Sequence, residues 1–208
     1  MNSLLTPTPF PNCSSFAVIA QSDSVTFEMC DNFQKQTYRN RFHIYGANGK
    51  LQLNIPVIYS QKNRTLYKDI KIFNTEKWQT NHWKSFESAY KTSPFFEFYE
   101  DELKPLYSKT FENLMDFNLA SIQVICECLQ LDLKTSKTTR FEKEIDTKTD
   151  YRFLAERNSK GFDLAPYHQV FAEKHGYINN LSILDLLFNE GPNALIYLES
   201  QQLPHAPT

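Results

Sequence analysis

Apolar positions recur along the chain with two periods, and the change of period divides it. In SVTFEM, residues 24–29, Val25, Phe27 and Met29 alternate with Ser24, Thr26 and Glu28, which predicts a half-buried strand. Ahead of it, FAVIAQSD at residues 16–23 predicts a brief helix. In YRNRFHIYGANGKLQLNIPV, residues 38–57, two alternating runs flank Asn48 and Gly49, the pair that a type I′ turn favours because both positions need positive φ. A hairpin closed there sets Ile44 opposite Leu53 and Phe42 opposite Ile55 on an apolar face. Its other face carries His43 opposite Asn54 and Tyr45 opposite Gln52, with Arg41 and Arg39 continuing the row.

From Thr75, a candidate N-cap, the period becomes helical: Trp78, His82, Phe86, Ala89 and Tyr90 share one side, with Trp83 at its edge. Ser93 and Pro94 close this helix and open another, SPFFEFYEDEL. A third, over residues 111–129, aligns Phe111, Leu114, Met115, Ile122, Ile125, Cys126 and Leu129, with Asn118 in the middle of the stripe. Residues 132–166 turn polar, with a candidate strand at KTTRF and a short helix about DYRFLAER. Ser182 with Asp185 three residues on, and Leu181 with Leu186, predict a capping box and staple for the helix SILDLLFNE. Gly191 and Pro192 stop it before a last helix, NALIYLESQQL. These elements predict an α/β or α+β fold in one domain over residues 1–208: a small sheet with an N-terminal β-hairpin, covered by several helices, and a helical C-terminal part.

Composition narrows the function classes. With 208 residues, 41% hydrophobic and 14% aromatic, the chain can bury a substantial core, and a net charge of −2 argues against nonspecific nucleic-acid binding. Cys13, Cys30, Cys126 and Cys128 form no C-x-x-C pair, so they read as reduced thiols of a cytoplasmic protein rather than a zinc site or disulfide framework. Pro7, Pro9 and Pro11 break up the start, and neither a signal peptide nor a membrane span is expected.

The strongest candidate chemistry is the row Arg39, Arg41 and His43, because planar guanidinium groups on a rigid sheet suit bidentate capture of phosphate or carboxylate. The competing reading is a solvated sheet face. Just upstream, DNFQKQ adds Gln34 and Lys35 in a ligand loop or a plain loop. His82 lies within the aromatic stripe, either as a satisfied core residue or as a general base with a shifted pKa. Asn118 must find partners in the backbone or in a substrate. Glu100, Asp101 and Glu102 point in different directions around a helix and read as a solvated face. His168 and His175 are two turns apart, too far to share a metal ion. No P-loop, G-x-G-x-x-G, G-x-S-x-G or H-E-x-x-H is present, so no metal site is expected and no cofactor is indicated.

The ordered strings FQKQTYRNR, GANGKLQLNIPV, WQTNHWKSFESAYKTSPFFEFYEDEL, LMDFNL and NLSILDLLFNEGP resemble the WbqC-like protein family in its Bacteroidetes-type version, over residues about 15–198. The resemblance implies a role in O-antigen or surface-polysaccharide biosynthesis: a transferase-type enzyme modifying an amino sugar on a nucleotide-linked donor. Its matching segments also contain Asn40, Tyr90, Tyr167, Gln169, Asp150, Arg152 and Asp185. The candidates for substrate contact are thus Arg39, Arg41, Asn40, Gln34, Lys35, Tyr90, Asn118, Tyr167 and Gln169, with His82 or His43 handling a proton. Two positions depart from the family pattern: Pro9 and Phe10 stand where a tyrosine is expected, and Cys30 where a histidine is expected. The alternative is a non-catalytic ligand-binding or scaffold protein that presents Trp78, Trp83 and Tyr90 as its surface.

Overall fold

The computed structural model describes residues 1–59, 65–75, 77–145 and 147–204. Strand β1 (Asn2–Leu5) leads through a loop to helix α1 (Cys13–Ala20), which returns the chain to β2 (Ser24–Phe27). The Asn12 side chain starts α1 by accepting from the Ser15 amide at 2.9 Å. A helical crossover is what a parallel pair requires, and β1 and β2 are parallel with Leu4 beside Thr26. A long excursion follows. It holds the hairpin β3 (Arg41–Gly46) and β4 (Gly49–Asn54), the short pair β5 (Val57–Ile58) and β6 (Lys71–Ile72), and helices α2 (Trp78–Tyr90), α3 (Phe96–Ser108) and α4 (Leu114–Cys128).

The chain then rejoins the first sheet through β7 (Thr135–Lys137) and β8 (Thr149–Asp150), giving a four-stranded parallel order β7-β2-β1-β8. Helices α5 (Ala172–His175), α6 (Ile183–Glu190) and α7 (Ala194–Ser200) complete a mixed α/β protein with a helical C-terminal part, as the sequence predicts. The core is largely aromatic. Phe10 sits at its centre, with ring centroids 5.3 Å from Phe42, 6.0 Å from Phe117 and 6.1 Å from Tyr107.

Several expectations change in register rather than kind. The hairpin pairs Phe42 with Leu53, His43 with Gln52 and Ile44 with Leu51, two residues from the predicted pairing on the second strand. The reason lies in the turn: Ala47 and Asn48 form the loop, and the positive φ falls on Gly49 at 100°. A shift of two preserves the faces, so Arg41 and His43 keep theirs, but Tyr45 in the same row is fully buried with its hydroxyl donating to the Gly176 carbonyl at 2.6 Å. Arg39 leaves that row because residues Tyr38–Asn40 form a 3-10 turn ahead of the strand. Helix α2 starts at Trp78 with no side-chain cap, so Thr75 does not cap it. The strand expected at KTTRF lies slightly earlier, and the helix about DYRFLAER is a 3-10 turn over Arg152–Ala155. Ser182 does cap α6 through the Leu184 amide, but Asp185 turns into the core instead of closing a box.

Candidate functional site

The parallel sheet has a switch point beside β1, whose neighbours β2 and β8 lead away on opposite sides, and ligands of open α/β sheets bind outside the carboxyl ends of strands at such points. Helix α1 starts there, yet its N-terminus is closed by protein. The Cys13 amide donates to the Leu181 carbonyl, that of Ser14 to Asn180 Oδ1, and that of Ser15 to Asn12 Oδ1, each at 2.9 Å. An anion therefore has to be held by side chains beyond the helix.

Those side chains come from the hairpin. Arg41 and His43 project from β3, and Lys50 and Gln52 from β4, into a cleft of about 530 Å³. Its opposite wall is the segment 157–160, which leaves β8 through the 3-10 turn, together with Asn179 and Asn180. The segment leaving β1, residues 8–12, packs beneath against Tyr38, His43 and Asn180 without a cavity. Asn180 fixes the wall: it takes φ 57°, its carbonyl oxygen caps α1, and its amide donates to the Lys160 carbonyl at 3.3 Å.

The charged residues that line the cleft are all cations. Arg41, Lys50, Arg157 and Lys160 line it with no carboxylate among the lining residues, and among the described residues none of the four is ion-paired. Arg41 is held by Gln52 at 3.4 Å and by the Gln36 carbonyl. Its Nε, His43 Nδ1 and Asn179 Oδ1 are buried polar atoms with no partner, and all three belong to cleft residues. Burial, then the nearby Lys50 and Arg41 charges, push His43 down to about 4 against a smaller opposing effect of Gln52. Its ring, edge-on to Tyr38 at 5.5 Å, is therefore neutral at physiological pH. Burial also lowers Arg41, with Tyr38 opposing and Arg157 adding to it, and burial lowers Lys50.

Other candidates lie elsewhere. Arg39 is 1% exposed, ion-paired to Asp31 at 2.5 Å and Glu156 at 3.0 Å. Its carbonyl accepts from the Asn118 amide at 2.9 Å and the Tyr67 hydroxyl at 3.0 Å, and Asn118 also donates to that hydroxyl, so its amide is spent within the core. His82 is 4% exposed among Trp78, Phe42 and Tyr107, with Nε2 3.0 Å from the Asn54 carbonyl, and burial lowers its pKa to about 4. Tyr90, Tyr167 and Gln169 converge on one carboxylate, Asp185, donating at 2.8, 2.7 and 2.9 Å. Burial raises Asp185 to about 6, with those three donors opposing.

Lys35 and Asn40 line a neighbouring groove, while the exposed Gln34 lines none of the cavities described here and has its carbonyl bonded to Thr37 Oγ1 at 2.8 Å. Of the positions expected to depart from the family pattern, Phe10 is the core hub with φ 38°, and Cys30 lies by Glu28 and Thr138 and is not among the residues lining the cleft. Trp78 and Tyr90 are buried, so the aromatic surface expected of a scaffold reduces to Trp83. Tyr38, Lys50, Asn158, Lys160, Asn179 and Asn180 carried no sequence signal, because three separate segments supply them. Arg157 stands within DYRFLAER, where only its helical pattern was visible. Among the described residues no group of three or more His, Cys, Asp or Glu could hold a metal ion, and no helix is long and apolar enough to cross a membrane.

A sequence profile described as the WbqC-like protein family matches residues 7–160, which includes every element from the α1 loop through the Arg157–Lys160 wall. The chain is 24% identical over 210 aligned positions to the uncharacterized protein Rv1507c of Mycobacterium tuberculosis (strain ATCC 25618 / H37Rv), covering 88% of this chain and 90% of that protein. No solved structure matches the chain.

Proposed function

The chain belongs to the WbqC-like protein family, and from that premise we propose that it is a cytoplasmic transferase-type enzyme of the Bacteroidetes-type branch. It modifies a nucleotide-linked amino sugar for O-antigen or other surface polysaccharide. The observation that carries this reading is the cleft on β3 and β4, which four cations line without a carboxylate and where Arg41, His43 and Asn179 each keep a buried polar atom without a partner. Preorganised cations of this kind stabilise phosphate in a bound donor and the charge that builds on a departing group. Arg41 and Lys50 hold the anion. His43, neutral and facing the same space, accepts the proton that an acceptor amine or hydroxyl loses as it attacks.

A thermal-shift screen against nucleotide sugars, acyl-CoA compounds and aminoacyl donors tests it. Ligand at a hundredfold over Kd adds about 2.7 kcal/mol, a shift of several degrees. The shift should vanish in Arg41→Ala while that variant keeps its own melting temperature. A shift retained in Arg41→Ala places the ligand elsewhere.

One observation favours the non-catalytic alternative. Trp83, with Tyr107 and Lys104, lines a groove of about 290 Å³ suited to a sugar ring or a protein partner. Pull-down through this face, lost in Trp83→Ala and indifferent to Arg41, would favour that reading.

A further inference from the structure

Arg41 and Gln52 line two cavities. Besides the cationic cleft they border a groove of about 400 Å³ on the side of β3 and β4 toward β5. Its composition differs from that of the cleft: Phe33 and Val57 supply an apolar floor, Gln36, Asn40 and Asn54 supply amides, and the ammonium of Lys35, which also lines it, lies over the Tyr59 ring at 4.8 Å. The floor is stiff, because Phe33 is wedged between Tyr59 and Tyr67 at 5.2 and 6.1 Å.

The amides are half spent in a specific way. Asn40 donates its amide to the Ile55 carbonyl at 3.0 Å, leaving its Oδ1 to accept. Asn54 Oδ1 accepts from Gln52 Nε2 at 2.9 Å, leaving its amide to donate. An acceptor on Asn40 and unspent amide N–H donors on Asn40 and Asn54, in a groove that Phe33 and Val57 also line, match a flat heteroaromatic ring, whose faces are apolar and whose edge carries both kinds of group. A sugar phosphate would satisfy the cleft and leave this floor in water.

We infer that the groove is the ring subsite of a two-part site hinged on Arg41. The ligand is then a nucleoside phosphate, with its base in the groove, its phosphate at Arg41, and whatever the phosphate carries directed toward Asn158 and Asn179. This rests on the reading of the cleft as an anion site, and it adds which end of the ligand goes where.

Calorimetric titration with orthophosphate, ribose 5-phosphate, and uridine and adenosine 5′-monophosphates separates the two claims. At least one nucleotide should bind about tenfold or more tighter than ribose 5-phosphate, the scale of base stacking. Val57→Trp, which fills the groove, should bring that nucleotide down to the sugar phosphate while leaving ribose 5-phosphate unchanged. Asn54→Ala, an exposed position, is the second variant, should Val57→Trp not fold, and should narrow the same gap. Equal binding of nucleotides and ribose 5-phosphate overturns the ring subsite and leaves the anion cleft standing. Failure of every phosphate to bind overturns both.

Discussion

Arg39 and Arg41 are two residues apart, yet their guanidinium groups occupy opposite settings. Arg39 is buried between Asp31 and Glu156, and Arg41 faces a cleft with no carboxylate in its lining. The 3-10 turn at Tyr38–Asn40 produces the difference by rotating Arg39 off the strand face that Arg41 begins. The two should respond differently to truncation. Arg39→Ala strands Asp31 in a mostly buried position and should cost about 3–5 kcal/mol, read as loss of soluble protein or a collapse in melting temperature. Arg41→Ala should leave the melting temperature within a few degrees and weaken anion binding by about tenfold or more.

The Tyr90 hydroxyl stands between the Tyr45 amide, from which it accepts at 3.0 Å, and Asp185, to which it donates. Tyr90→Phe leaves a buried N–H without its acceptor and removes one of three donors from a buried carboxylate. A loss of about 1–3 kcal/mol is expected in chemical denaturation, with affinity in the cleft unchanged. Weakened ligand binding at constant stability would instead return Tyr90 to the list of ligand contacts.

Stability should fall as pH drops from about 6.5 toward 4. His82 and His43 have folded pKa values depressed to about 4, so each contributes stability that is present above the unfolded value near 6.5 and is lost as pH falls toward 4. For the buried His82 this amounts to roughly 3 kcal/mol. Asp185 acts oppositely: with a folded value raised to about 6, its contribution is present below the unfolded value and lost as pH rises through 6. Two histidines outweigh one aspartate over this window. Melting temperatures across it should show the decline, and His82→Gln should flatten it.

Anion binding should raise the pKa of His43, because a phosphate beside the ring offsets the Lys50 and Arg41 charges that help depress it. An NMR titration of the imidazole protons should show one histidine moving up with pyrophosphate, the one absent in His43→Gln. The His82 resonance, sealed in the aromatic core, should not move.

Gly161 takes φ 67°, and a Cβ there would meet Asn180 Nδ2 at 1.9 Å and Ser14 Oγ at 2.5 Å. Gly161→Ala must push Asn180 off the α1 amide and shift the Lys160 wall. The variant should lose about 1–3 kcal/mol of stability and bind anions more weakly, measured together by thermal shift with and without ligand.

Much of this architecture was legible in periodicity. The buried stripe of α2, the Phe111 to Leu129 stripe and the polar face of the hairpin all follow from spacing, because local pattern decides which side of an element meets the core. The Asp185 network was not legible: Ser182 and Asp185 have the spacing of a capping box, and only tertiary packing brings Tyr90, Tyr167 and Gln169 onto that carboxylate. The cleft was half legible. Arg41 and His43 announce themselves by alternation, whereas Lys160 and Asn180 reach the same space from irregular segments with no period to read.

The most direct test of the cationic cleft is calorimetric titration of pyrophosphate into the parent protein and the Arg41→Gln variant at two ionic strengths. Binding in the parent that weakens with salt, and falls about tenfold or more in the variant at unchanged melting temperature, is the predicted result. Equal affinity in both proteins, or no binding to the parent, would contradict it.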